Sequence, residues 1–237
     1  MEIKEKDSKY NRLAREIPTY ICLTFPLIIF LFIIYEMDKD TQNAIEWFMA
    51  KFLIGGVSVF PALFFLMRMI IRDLSSFLAD NIFFPWWLGR NIFPHKMYRI
   101  LLKRGCGIST AEYEKIKNEF IAKGLDLSVS DKSELKHIIK AVVDYIKNAT
   151  RKDNIVFEYN IFFGFYRNMV GGLLITLLFI ILFNYYFSSV CSGLENLIHY
   201  IKILMSILIV ICCLLMYYND HKYALKLYRS YLSTQQS

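Results

Sequence analysis

The chain has 237 residues and a mass of 28.0 kDa, with 56% hydrophobic residues, 21% charged residues and a net charge of +7. Composition alone sits close to a soluble domain, which averages about 45–50% apolar and about 25% charged. The distribution excludes a single soluble globule, because long stretches carry no charge while others are crowded with Lys and Arg. The 20 Phe and 16 Tyr exclude a disordered chain.

The first 16 residues are basic (Lys4, Lys6, Lys9, Arg12, Arg15) and precede an apolar run from Ile17 to Tyr35. A bilayer core of roughly 30 Å needs about 20 mostly apolar residues per helix. Four runs qualify: Ile17 to Tyr35, Phe52 to Ile71, Met169 to Val190 and Ile201 to Tyr218. Only Arg68 and Lys202 are charged within them, each within about a turn of an end, where a long stem reaches the headgroups. The first run is long for a signal peptide, and Glu36-Met37-Asp38-Lys39 offers no small-residue cleavage site, so it reads as an uncleaved anchor. The expected fold is all-α: an integral membrane protein with four transmembrane helices and a small helical cytoplasmic domain between spans 2 and 3.

The basic residues orient this scheme. Seventeen Lys and Arg lie between Arg68 and Arg167, and three (Lys222, Lys226, Arg229) lie in the last segment, whereas the short connectors and their edges hold only Lys39, Lys51 and Lys202. The expected arrangement is a cytoplasmic N-terminus (1–16), a membrane hairpin (17–71), a cytoplasmic domain (72–168), a second hairpin (169–218) and a cytoplasmic tail (219–237). Both termini then face the cytoplasm at a bacterial inner membrane. The positive charge is largely explained by topology, and no nucleic-acid partner is implied.

The insert opens with a juxtamembrane helix (Asp73 to Asp80), then NIFFPWWLGRNIFP, where Pro85, Gly89 and Pro94 break any long helix. Trp86 and Trp87 are what an interfacial aromatic belt uses, or else a loop folded on its own core. A short basic helix follows from His95 to Arg104. Ser109 and Glu112 form a capping box that opens a charged helix closed by Gly124. The next helix, from Asp131 to about Asn148, places Leu135, Ile138, Ile139, Val142, Val143 and Ile146 on one face. That face packs against the other insert helices or against a second subunit, the first being the simpler. From Asn154 the chain runs with only Gly164 as a breaker into the third span, so one rod can carry movement from insert to membrane.

No catalytic or metal constellation is present: His95, His137, His199 and His221 are scattered, and no phosphate-cradling glycine loop or serine elbow occurs. The spans carry no Asp or Glu, unlike those of coupled carriers. The expectation is a protein that is not an enzyme and has no cofactor. Cys22, Cys212 and Cys213 lie in spans, and Cys106 and Cys191 lack a partner on their own side of the membrane, so no disulfide is expected. The pairs Gly55-Gly56 and Gly171-Gly172 mark close helix packing, within one chain or between subunits. Charges gather at the inner boundary: Arg68, Arg72 and Asp73 end the second span, and Glu158 and Arg167 precede the third. If those helices are neighbours, Asp73 and Glu158 are in reach of Arg167 and Arg72; snorkelling arginines are the plainer reading. On a helix Asn160, Gly164, Arg167 and Asn168 share one face, and with Glu158 they form a candidate interhelical or intersubunit lock or a contact with lipid phosphate.

The run Phe157 to Gly172 resembles a motif of uncharacterised bacterial multi-pass membrane proteins, in which a Glu/Asn pair precedes Gly-aromatic-x-Arg-Asn before a span. The matching residues are Glu158, Asn160, Gly164, Phe165, Arg167 and Asn168; Phe93-Pro94 and Thr150-Arg151 fit the same pattern. The overall plan is similar to that of membrane effectors in bacterial antiphage defence. This resemblance implies a homo-oligomer in the lipid bilayer whose cytoplasmic domain answers a protein partner or small-molecule signal by opening a pore. A non-conducting anchor that recruits a cytoplasmic protein is the alternative.

Overall fold

The computed structural model describes residues 2–24, 64–83, 96–102, 107–186 and 195–235, and no strand occurs among them. Helix α1 covers Glu2–Tyr10 and passes through a wide π-type turn, Asn11–Glu16, into helical residues 17–24. Helix α2 covers residues 64–78 and ends in a second π-type turn, Ala79–Phe83. Then come α3 (Lys96–Leu102), α4 (Thr110–Ala122), α5 (Lys132–Ala149), α6 (Asn154–Tyr186) and α7 (Glu195–Thr234). The helical class matches the expectation. Residues 17–24 and 64–71 of the first two expected spans are helical. The remainder of those spans, with Gly55-Gly56 and the Trp86-Trp87 belt, lies outside the described residues.

The chain divides into two compact units. The insert unit comprises Met1–Glu5, Phe77–Gly164 and Leu215–Ser237; the apolar unit comprises Lys6–Ser76 and Phe165–Leu214.

Local chemistry sets the insert helices. Ser109 Oγ accepts from the Glu112 amide at 3.2 Å while Glu112 Oε2 accepts from the Ser109 amide at 2.6 Å, so two orphan donors at the start of α4 are satisfied reciprocally. At its other end Gly124 takes φ +78°. The Gly124 amide then reaches Ile121 O and the Leu125 amide reaches Phe120 O, the Schellman pairing that a left-handed residue permits. Open space surrounds Gly124, so backbone angle rather than crowding selects glycine there. Asp131 caps α5 through the Ser133 amide.

The expected apolar face of α5 is filled from within this chain: Ile139, Val142, Val143 and Ile146 are fully buried with Ile100 of α3 and Ile116 and Phe120 of α4. The end of α7 completes the same core. Ala224, Leu227, Tyr228 and Tyr231 are at most 1% exposed. Residues 219–237, which the sequence reading sets apart as a tail, therefore belong to the insert unit in the structure. The Tyr228 hydroxyl donates to Met97 O. The Tyr231 hydroxyl donates to Glu119, and Lys123 reaches Glu119 and the Tyr145 hydroxyl. Burial, and then the Glu119 hydrogen bond, push the Tyr231 phenol up to about 12.

Asp153 joins the two long helices. Its Oδ1 accepts from the Ile155 and Val156 amides at 2.7 and 3.2 Å at the start of α6, and its Oδ2 accepts from the Ser230 hydroxyl of α7. Burial opposes ionisation, but these donors, with Lys226 nearby, hold the carboxyl below its ordinary range. A depressed native pKa adds stability above the unfolded value, and that stability is lost as pH falls through the native one. Asp153→Ala should therefore cost about 1 kcal/mol at neutral pH. The gap from wild type should close as pH drops below about 4 in thermal melts; an equal gap at pH 7 and at pH 3 would exclude a charged cap.

Candidate functional site

The first helical segment of the apolar unit contains Pro18. Proline has no N–H, so the carbonyl four residues earlier, that of Ala14, loses its helical partner, and the ring also crowds that carbonyl. The wide turn Asn11–Glu16 lies at that point, with the Ile17 amide bonding back five residues to Arg12 O. Ala14 is fully buried, so its carbonyl needs another donor. Asn168 supplies it: Nδ2 of this side chain, itself 1% exposed, lies 2.6 Å from Ala14 O. The amide orientation follows from the partner, since a carbonyl accepts only from the NH2 end.

The same helices meet again one and two turns on. The Thr176 hydroxyl lies 3.0 Å from Cys22 O and from Gly172 O. A Cβ on Gly171 would stand 3.1 Å from Ile71 O and 3.0 Å from the Ser75 Cβ; one on Gly172 would stand 2.9 Å from the Cys22 Cβ. This glycine pair thus sets the approach of α6 to the segment 17–24 and to α2, as small-residue crossings do. Both contacts are made within one chain. On the partly exposed rim Arg68 pairs with Glu16 at 3.1 Å.

Of the five lock residues, Asn168 makes a described cross-helix hydrogen bond. Gly164 is buried, Asn160 and Arg167 are half-buried, and Glu158 is exposed on the part of α6 that belongs to the insert unit. Arg68 takes Glu16, and Arg72 Nε takes the adjacent Asp73 at 2.8 Å. That hydrogen bond holds the Asp73 carboxyl below its ordinary range. Sequence reasoning missed Glu16, Pro18 and the Ala14 carbonyl, although the four-residue spacing from Ala14 to Pro18 was a visible signal of an orphaned acceptor. Among the described residues no three His, Cys, Asp or Glu side chains gather as a metal site would require.

Helices α6 and α7 are long and apolar enough to cross a membrane. In the most apolar 18-residue stretch of each, only 44% of α6 and 22% of α7 is buried. Along α7 the pattern inverts. Ile203, Leu204, Ile207, Val210, Ile211 and Leu214 are exposed, whereas after Tyr218 the side chains of Tyr223, Ala224, Leu227, Tyr228, Tyr231 and Leu232 are buried and Arg229 is exposed. Comparison with known protein families, curated proteins and solved structures finds no match to this chain.

Proposed function

We propose that this chain is a multi-pass bacterial inner-membrane effector with four spans and a cytoplasmic insert. In this reading it assembles as a homo-oligomer, its insert unit receives a protein partner or small-molecule signal, and the response is pore opening or bilayer disruption of the antiphage or toxin type. One observation carries it: α6 and α7 each run unbroken from the insert core into stretches whose large apolar side chains are exposed. Water penalises such a surface at roughly 25 cal/mol per Å2, whereas lipid accepts it. Helix α6, 33 residues long, starts next to the Asp153 cap and continues into the apolar stretch.

Overexpression in a bacterial host should depolarise the membrane and arrest growth, read with a potential-sensitive dye, and the purified chain should be an oligomer in detergent. A strict monomer that leaves the potential unchanged overturns the reading. A second reading, a non-conducting anchor for a cytoplasmic protein, draws support from the glycine pair and Asn168, whose contacts are spent within one chain. It predicts a co-purifying partner and an intact potential.

A further inference from the structure

A guanidinium keeps its proton under all ordinary conditions, so burying one without a counter-charge costs several kcal/mol. Arg99 of α3 is 9% exposed, and its Nε and Nη1 find no hydrogen-bond partner among the described residues. Nδ1 of His221 on α7 is buried in the same condition. Lys96 stands one helical turn before Arg99, with its ammonium 5.1 Å from the Tyr217 ring centre. Burial, and then the charges of Lys96 and Lys222, keep His221 below its ordinary pKa while Asp220 opposes them.

Asp220 is fully buried, accepts the Lys96 backbone amide at 2.9 Å and lies within the field of Lys147, as does Asp144. Asp80 and Asp144 both act on Tyr98, the neighbour of Arg99 in sequence, so Lys96, Arg99, Lys147 and Lys222 stand against Asp80, Asp144 and Asp220, one more positive charge than negative.

We propose that Arg99, with Lys96 one turn before it, binds a phosphate-bearing anion. A planar fork with unpaired N–H groups matches phosphate oxygens, which a point charge does less well. The anion is either a lipid headgroup or a soluble phosphate. Tyr217 lies between the exposed apolar stretch of α7 and the charged residues that follow it, Asp220 and Lys222. The inference gives a ligand class to the unit that the proposed function makes the receiver, and rests on that reading to this extent.

The test uses the full chain in a neutral, phosphate-free detergent. Thermal midpoints of wild type and Arg99→Met are compared as sodium phosphate is added against sodium chloride of equal ionic strength. Phosphatidylglycerol is added separately, against phosphatidylcholine. Without anions Arg99→Met should be at least as stable as wild type, because the uncompensated charge is gone. Wild type should gain several degrees on adding its anion and the variant none. A response to phosphate identifies a soluble ligand, and one to phosphatidylglycerol alone a headgroup.

Equal responses in both proteins, no response in wild type, or a variant that melts below anion-free wild type would each overturn the proposal. If Arg99→Met does not fold, wild type decides the matter: phosphate that fails to bind in equilibrium dialysis, together with phosphatidylglycerol that fails to co-purify, overturns it. The membrane-potential assay reads the effector function separately, so an anion response without depolarisation would sink that function alone.

Discussion

A chain ending at Tyr218 is expected to lose the folded insert unit altogether. The deleted residues include Tyr228 and Tyr231, both fully buried and among the largest side chains of that core. Removing one large buried aromatic costs about 3–5 kcal/mol, against a margin of roughly 5–15 kcal/mol for a whole domain. Full-length Tyr228→Ala should show a loss in that range. Tyr228→Phe, which keeps the ring but not the hydroxyl donated to Met97 O, should lose only about 1 kcal/mol. Amide hydrogen exchange is the direct measure: α4 and α5 should become unprotected in the truncated chain. Persistent protection there would mean that the end of α7 merely decorates the unit.

The second large effect is expected at Asn168, and its size should depend on a residue 150 positions away. Asn168→Leu removes the donor to Ala14 O and leaves a buried carbonyl unpaired, a loss of about 1–3 kcal/mol. Pro18→Ala restores an N–H at the position that would normally serve that carbonyl and relieves the ring crowding behind the wide turn. In the Pro18→Ala background, Asn168→Leu should therefore cost much less, and a double-mutant cycle of detergent melting curves should show strong coupling between the two sites. Equal losses in both backgrounds would refute the view that Asn168 replaces the missing proline donor.

Both expectations start from signals visible in the chain, but they became predictions by different routes. The capping box at Ser109 and Glu112, the turn at Gly124 and the apolar face of α5 are all present where the residue spacing places them. Each depends on groups within a few residues of one another, so backbone geometry leaves little choice. The end of α7 carries a comparable signal, with Tyr223, Ala224, Leu227, Tyr228, Tyr231 and Leu232 spaced by one and three. Its basic residues and terminal position nevertheless suggest a tail, and only packing distinguishes a solvated amphipathic helix from a core one.

The identity of partners lay beyond sequence reading altogether. Arg68 had Glu16 and the acids near both spans to choose from, and Gly171-Gly172 had any apolar helix to approach. Asn168 could have served another subunit, yet it closes on Ala14 O, 154 residues earlier. Local order follows from bonds that span five residues or fewer. A cross-helix contact instead depends on where the fold delivers two distant backbones, and no spacing rule encodes that meeting.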